Sequence, residues 1–290
     1  MFSQPSLPTL SMRWHHGHNR YRLSRETINP AHYTVELIDE STAKAYICRE
    51  HYSHRYPPAR LRVGLFHKTA STPERLVGAC VFSVPIQPAA IPAYSQQPSR
   101  SGIELGRLVL SEDVPGNGES FFIARALRLL HQALPEIRVL ISYSDPVPRV
   151  INGETVKRGH VGCCYAAAGF TFCGRAHPRI LVIVRKNGQV LSERSLSKLR
   201  HGERGRDYVL RQLRDLGAPP LGLHERPDAY LARVLQDPSL FLRFRHPGNY
   251  VYLTPVGPRA DRRCFRREHP QLRPYPKQPD PPCILGETPR

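Results

Sequence analysis

Residues 104–130 read ELGRLVLSEDVPGNGESFFIARALRLL, and the succession of elements in them organises everything around them. Ile103 to Leu110 is a strand. Val114 to Ser120 is a glycine-containing turn. Ile123, Leu127, Leu130 and Leu134 then recur at spacings of four, three and four, one face of a helix, while Arg125, Arg128 and Gln132 fall on another. Strand, glycine turn and helix start together make an anion site in physical terms, because free backbone N–H groups and the helix dipole converge there. Gly116, Asn117, Gly118 and Ser120 supply the approach. The turn is not a P-loop, since the GxxxxGK[ST] lysine is missing, and GxGxxG is missing too. An ordinary capped helix has the same form, so the pattern leaves both readings open.

Working outward, Arg138 to Tyr143 is a strand closed by Ser144-Asp145-Pro146, because proline cannot continue a ladder. A polar segment with Asn152-Gly153 leads to GHVGCCYAAAG (residues 159–169), a short small-residue helix with a glycine stop. Phe170 to Cys173 and Arg179 to Arg185 are strands. Upstream, Thr42 to Glu50 is a short helix ending in His51-Tyr52-Ser53-His54 and the breaker Pro57-Pro58. Leu61 to His67 and Leu76 to Ile86 form an antiparallel hairpin, followed by a loop over 87–101. These elements predict an α+β fold with a mixed, mostly antiparallel sheet flanked by helices.

Residues 1–30 carry no sustained period and read as a flexible basic arm. The core then spans 31–185. Beyond it the composition shifts: residues 185–216 hold nine Lys or Arg against four acids, with Val209, Leu213 and Leu216 on one helical stripe. Asn249 to Leu253 is a strand, and 257–277 hold seven basic residues against two acids. Residues 186–277 thus form a basic extension, and the proline-rich 278–290 an unpacked tail.

The chain has 290 residues, 42 Lys+Arg and 24 Asp+Glu, hence a formal charge of +18. A charge that persists along the whole chain fits a polyanionic partner, nucleic acid above all. The 40% hydrophobic fraction supports a packed core, and 29 prolines, about twice the usual share, imply many loops. Apolar runs such as Ile180 to Val184 are far short of the ~20 residues that span a bilayer. Trp14, His15, His16 and His18 interrupt any signal peptide, so the reading is cytoplasmic. Seven cysteines, an odd number with no CxxC pair, read as free thiols.

Several side chains carry possible chemistry. Asp145, beside Ser142 and Ser144 and stiffened by Pro146, can accept an amino hydrogen or simply close an Asx turn. SDP is also a weak match to the motif that holds the amine in adenine-N6 methyltransferases. Tyr165, among small residues, offers either a proton-donating phenol or a core aromatic. His51 and His54 are fewer ligands than most metal sites need.

ELGRLVLSEDVPGNGESFFIARALRLL, VLISYSDP and GHVGCCYAAAGFTFCG, in this order, resemble the core of the GCN5-related acyltransferase fold and specifically the Mom family of phage DNA-modification proteins. The resemblance runs from about residue 44 to 277, with RSLSKLR, HPGNYVYL and YPK as its later elements. It implies that coenzyme A, as acetyl-CoA or a related donor, sits against Arg107, Leu108, Val109, Gly116, Asn117, Gly118 and Ser120. It also implies an active site of His51, Tyr52, Ser120, Asp145 and Tyr165, with iron suggested on His51, Tyr52, Asp145 and Tyr165. One departure is the polar insert between Pro146 and Gly159. The implied reaction converts adenine N6 in double-stranded DNA to an N6-carbamoylmethyl derivative, protecting phage DNA from restriction inside a bacterial host. N6 lies within a stacked pair, so the base is flipped at a cost of a few kcal/mol, with Tyr52 or Tyr56 to stack on it. Two other expectations compete: an acyltransferase acting on a protein or small amine, and a non-catalytic basic DNA-binding module.

Overall fold

Seven consecutive residues, Val77 to Ser83, are buried, and such a run belongs to a strand covered on both faces. Cys80 and Phe82 point to one side and Ala79 and Val81 to the other, each into its own core. The computed structural model describes residues 10–15, 18–23, 26–70 and 72–285. The first nine and last five residues of the expected arm and tail lie outside the described residues.

Along the chain, β1 (Leu10–His15) and β2 (His18–Leu23) pair as an antiparallel hairpin. Then come β3 (Tyr33–Leu37), α1 (Glu40–Glu50), β4 (Ala59–Thr69), β5 (Thr72–Ser83), α2 (Ala90–Ser95), β6 (Gly102–Leu110), α3 (Gly118–Ala133) and β7 (Val139–Ser144). β8 (Arg149–Ile151) and β9 (Glu154–Lys157) precede α4 (Cys163–Ala167), β10 (Thr171–Arg175) and β11 (Arg179–Val184). Helices α5 (Glu193–Arg200), α6 (Arg206–Asp215) and α7 (Pro227–Val234) lead to β12 (Phe241–His246), β13 (Tyr250–Pro255), α8 (Arg259–Glu268) and β14 (Cys283–Leu285).

These elements make two units. The first comprises residues 1–144, 161–175 and 250–277. Its sheet has the order β10-β13-β7-β6-β5-β4-β3, antiparallel throughout except for the parallel pair β6–β7. On one face α1 packs Ala43, Tyr46 and Ile47 against Ala79, Val81 and Val109. On the other, α3 packs Phe122, Ile123, Ala126 and Leu130 against Phe82, Ile103, Leu105 and Leu140. The stripe of α3 expected from spacing is present, with Leu127 and Leu134 half-buried at its margin. Helix α1 starts two residues before the expected Thr42 because the Asp39 side chain caps it, accepting from Thr42 N at 2.9 Å.

The second unit comprises residues 145–160, 176–249 and 278–290. It holds a three-stranded sheet, β14-β8-β9, a β11–β12 hairpin and a core of Leu196, Leu199, Val209, Leu213, Tyr230 and Leu231 from α5, α6 and α7. Among the described residues no helix is long and apolar enough to cross a membrane.

The observed division differs from the expected boundaries. The first sheet recruits β13 from the extension and places it between β7 and β10, because its residues Val251 to Pro255 are buried and need pairing on both edges. Part of the expected arm is also structured: β1 and β2 pair, and Arg13 is 9% exposed.

Candidate active site

The parallel register of β6 and β7 lasts three residues: Gly102 faces Val139, Ile103 faces Leu140 and Glu104 faces Ile141. Past Glu104 the strands part. β6 continues to Leu110 along β5, and β7 continues to Ser144 along β13. Two strands that separate inside a sheet leave backbone donors and acceptors facing one another without a ladder, where a ligand can pair with them. At this divergence the Ser142 hydroxyl is buried with no hydrogen-bond partner among the described residues.

Arg107 lies on the diverging part of β6. Its Nε donates to Arg55 O at 2.9 Å. Burial lowers its pKa, opposed by Tyr52, Glu104, Tyr165 and Cys48, which lie within electrostatic reach of the guanidinium. Glu104 is 9% exposed, and its Oε2 accepts from Ile86 N at 3.3 Å. Tyr165 is buried on α4, its ring stacked on Phe170 at 5.4 Å and tilted against Tyr252 at 5.2 Å. Burial, then the negative potential of Cys164, Tyr52 and Glu104, raises its phenol well above the ordinary range. Tyr165 is therefore a neutral hydroxyl, a proton donor and not a phenolate. Gly162 starts α4 with φ +80, and a Cβ there would strike the Tyr252 ring, so glycine lets α4 sit against β13.

His51 caps the end of α1 and is buried, while the adjoining Tyr52 is 47% exposed, their rings 4.3 Å apart. His51 Nδ1 accepts from Ser53 N at 3.1 Å and lies 2.8 Å from Ser53 Oγ. That bond assigns the neutral ring's proton to Nε2, leaving it a donor there.

The turn before α3 is held from outside. Arg13 donates to the carbonyls of Ser111 (3.2 Å), Val114 and Pro115 (2.9 Å) and forms a bidentate pair with Glu119 at 2.6 and 3.0 Å. A Cβ on Gly118 would run into Val114 Cγ1, so only glycine lets the turn close. Asn117 Oδ1 accepts from Ile28 N at 2.7 Å, and Ser120 Oγ donates to Asn117 O at 2.9 Å. The N–H groups of Glu119 and Ser120, in the first turn of α3, have no intrahelical acceptor. Glu119 contributes to the raised pKa of the Cys164 thiol, which places this turn beside α4.

Asp145 opens the second unit. Its carboxylate accepts from His246 Nε2 (2.9 Å), Arg149 Nη2 (2.8 Å) and Val147 N (3.1 Å), with Lys157 Nζ at 3.0 Å. His246 is fully buried, and its Nδ1 accepts from Gly248 N at 3.0 Å, so its proton sits on Nε2 toward Asp145. Burial works to raise the Asp145 pKa, but the His246 hydrogen bond and the charges of Lys157 and Arg149 outweigh it and hold the carboxyl far below its usual range.

The first unit thus brings Tyr52, Arg107 and Tyr165 together, sets His51 against Tyr52, and seats Ser120 in the turn next to α4. Leu108 and Val109 lie on the diverging stretch of β6, where Val109 packs toward α1. A model of the Mom protein family matches residues 32–222 of this sequence. The chain belongs to the Mom family. The methylcarbamoylase Mom of Escherichia phage Mu is 28% identical over 142 residues, 48% of this chain and 53% of the phage protein, so the chain spans about half the length of that relative.

In this Mom-family chain, Glu104 is the residue that the sequence reading passed over. Its signal was a carboxylate three positions from an arginine inside the otherwise apolar strand IELGRLVL. The fit to a coenzyme A-type donor rests on the diverging edge of β6 and the N–H groups opening α3. An iron site fits poorly. Among the described residues no group of three His, Cys, Asp or Glu is placed to hold a metal ion, the Asp145 oxygens are engaged by protein donors, and the Tyr165 phenol resists ionisation.

Proposed function

We propose that this protein is a DNA-modifying transferase that alters adenine N6 in duplex DNA, by carbamoylmethylation, on an acyltransferase-like scaffold of the GCN5-related kind. The observation that carries the reading is the divergence of the parallel pair β6–β7 beside Glu104, Arg107 and Tyr165. Membership of the Mom family and a charge of +18 support DNA as the substrate. Protection of phage DNA from restriction follows from the same reading.

Adenine N6 is a weak nucleophile because its lone pair is delocalised into the ring, so attack requires removal of a proton from N6 and donation of one to the leaving group. Tyr165, held neutral, is the donor. Glu104, the carboxylate beside Arg107, is the acceptor. Tyr52, exposed and backed by the His51 ring, stacks on the extruded base. The diverging edge of β6 and the turn from Gly116 to Ser120 hold the donor. A donor bound there would carry the carbamoylmethyl group on a leaving group: the N6–CH2 bond forms as the bond from CH2 to the leaving group breaks, the N6 proton passes to Glu104 and the Tyr165 proton to the leaving group. Asp145 anchors the second unit as a permanent anion.

Nucleoside mass spectrometry of DNA from cells expressing the wild type, Tyr165→Phe and Glu104→Gln tests this. The wild type yields a carbamoylmethyl adenine adduct, and each variant lowers its rate of formation by about 10²- to 10⁴-fold, the usual worth of a positioned acid or base. Unmodified adenine with the wild type overturns the reading, and an acetylated adduct would turn it toward ordinary acyl transfer.

A further inference from the structure

Helix α8 reads RADRRCFRRE, and its five arginines sit at positions 259, 262, 263, 266 and 267. This i, i+3, i+4, i+7, i+8 spacing is the one that apolar residues use to bury a helix face. Here it is filled with guanidinium groups instead. At 3.6 residues per turn the five fall within an arc of about 140°. All five are exposed, and together they line a concavity of about 420 Å³. None has an ion-pair or hydrogen-bond partner among the described residues.

The other side of the helix explains how such a stripe is tolerated. Phe265 is buried and stacks on His269 at 4.1 Å. Asp261 is paired with Arg138 at 3.0 Å, and Glu268 accepts from the Cys264 thiol at 3.2 Å. Both acids on the helix thus lie outside the arginine arc. Five like charges on one face repel one another, a cost that an anionic partner removes.

We propose that α8 is a phosphate rail, a helix whose arginine stripe lies along one strand of the DNA backbone and positions the duplex for the site on the same unit. Arg259 to Arg267 spans about 12 Å, a length over which one DNA strand presents about three to four phosphates at ~3.4 Å of helix axis each. Arg266 lies beside Gly169, on the turn that follows α4, so the rail runs close to the helix carrying Tyr165. Planar guanidinium forks suit phosphate oxygens. The rail lies outside the residues matched by the family model, which end at 222. It supplies affinity and register and no sequence preference.

The proposal rests on DNA being the partner, and its test separates the two. Binding of the full chain to a duplex oligonucleotide is measured over a salt series for the wild type, for the triple variant Arg259→Gln, Arg263→Gln, Arg266→Gln, and for the matching triple Lys variant. The Gln triple makes the slope of log K against log salt shallower by about 2 to 3, while the Lys triple keeps the wild-type slope. Unchanged melting temperatures for both confirm that the exposed substitutions leave the fold intact. An unchanged slope in the Gln triple overturns the rail even if the wild type makes the adenine adduct. A flattened slope without any adduct keeps the rail and sinks the modification chemistry. Binding to phosphatidylserine vesicles that is lost in the Gln triple while DNA binding persists assigns the stripe to a membrane surface and overturns the proposal.

Discussion

Replacing Asp145 with asparagine removes the anion on which Arg149 and Lys157 depend. Both are largely buried, at 9% and 10% side-chain exposure, so the variant leaves uncompensated charge in a low-dielectric site. The expected loss is about 3–5 kcal/mol, read as a lower urea midpoint. A second residue makes stability depend on pH. Burial, then the charge of Lys157, pushes the His160 pKa from 6.5 down to about 4, against the pull of Asp145. The unfolded chain therefore binds more protons than the folded one between these values. Stability is full above pH 6.5 and declines as the pH falls toward 4. Urea titrations across this range should show a shallower decline for His160→Asn than for the wild type. Tyr52 was legible in the sequence as an aromatic at a helix end, and Tyr165 as one on a small-residue helix. The saturation of Asp145 was not, because His246 lies 101 residues away and nothing local announces that pairing. Glu104 was hidden for a related reason: a lone carboxylate in a strand looks like a solvent-facing position until its burial is known.

At the scale of elements, α3 and the turn before it were the easiest to read, since four apolar residues at helical spacing leave little alternative. What the pattern could not convey is that the turn is bolted by Arg13 from β1. A long-range bidentate pair has no period. Gly118→Ala tests how tightly that bolt fits. The added methyl meets Val114 Cγ1, and overpacking of this kind costs about 1–3 kcal/mol. Thermal unfolding of the variant should show the lower midpoint, and an unaltered one would mean that the turn has slack. The short overlap of β6 with β7 was equally invisible, because the two strands read as ordinary apolar runs whether they pair for three residues or six.

For the whole molecule, the sequence divided the chain in order, core and then extension, whereas the fold interleaves the two units. Strand β13 was recognised as a strand, but its place between β7 and β10 follows from pairing partners 75 to 116 residues back. A chain cut after Arg185 would keep every residue of the expected core and still lack the inner strand that joins β10 to the rest of its sheet. Both β7 and β10 would then present open apolar edges. Such a fragment should aggregate when expressed, and a soluble monomer by sedimentation would show that β13 is dispensable.

The same interleaving sets a schedule for synthesis. On a ribosome adding about 5–20 residues per second, β7 emerges long before Pro255, and for that interval one of its edges waits for a neighbour that does not yet exist. The proposed catalytic groups are all translated by residue 165, yet the sheet that carries them closes only near the end of the message. Chaperone occupancy should consequently peak between those two points, and a premature stop there should release a sticky intermediate in place of a feeble enzyme.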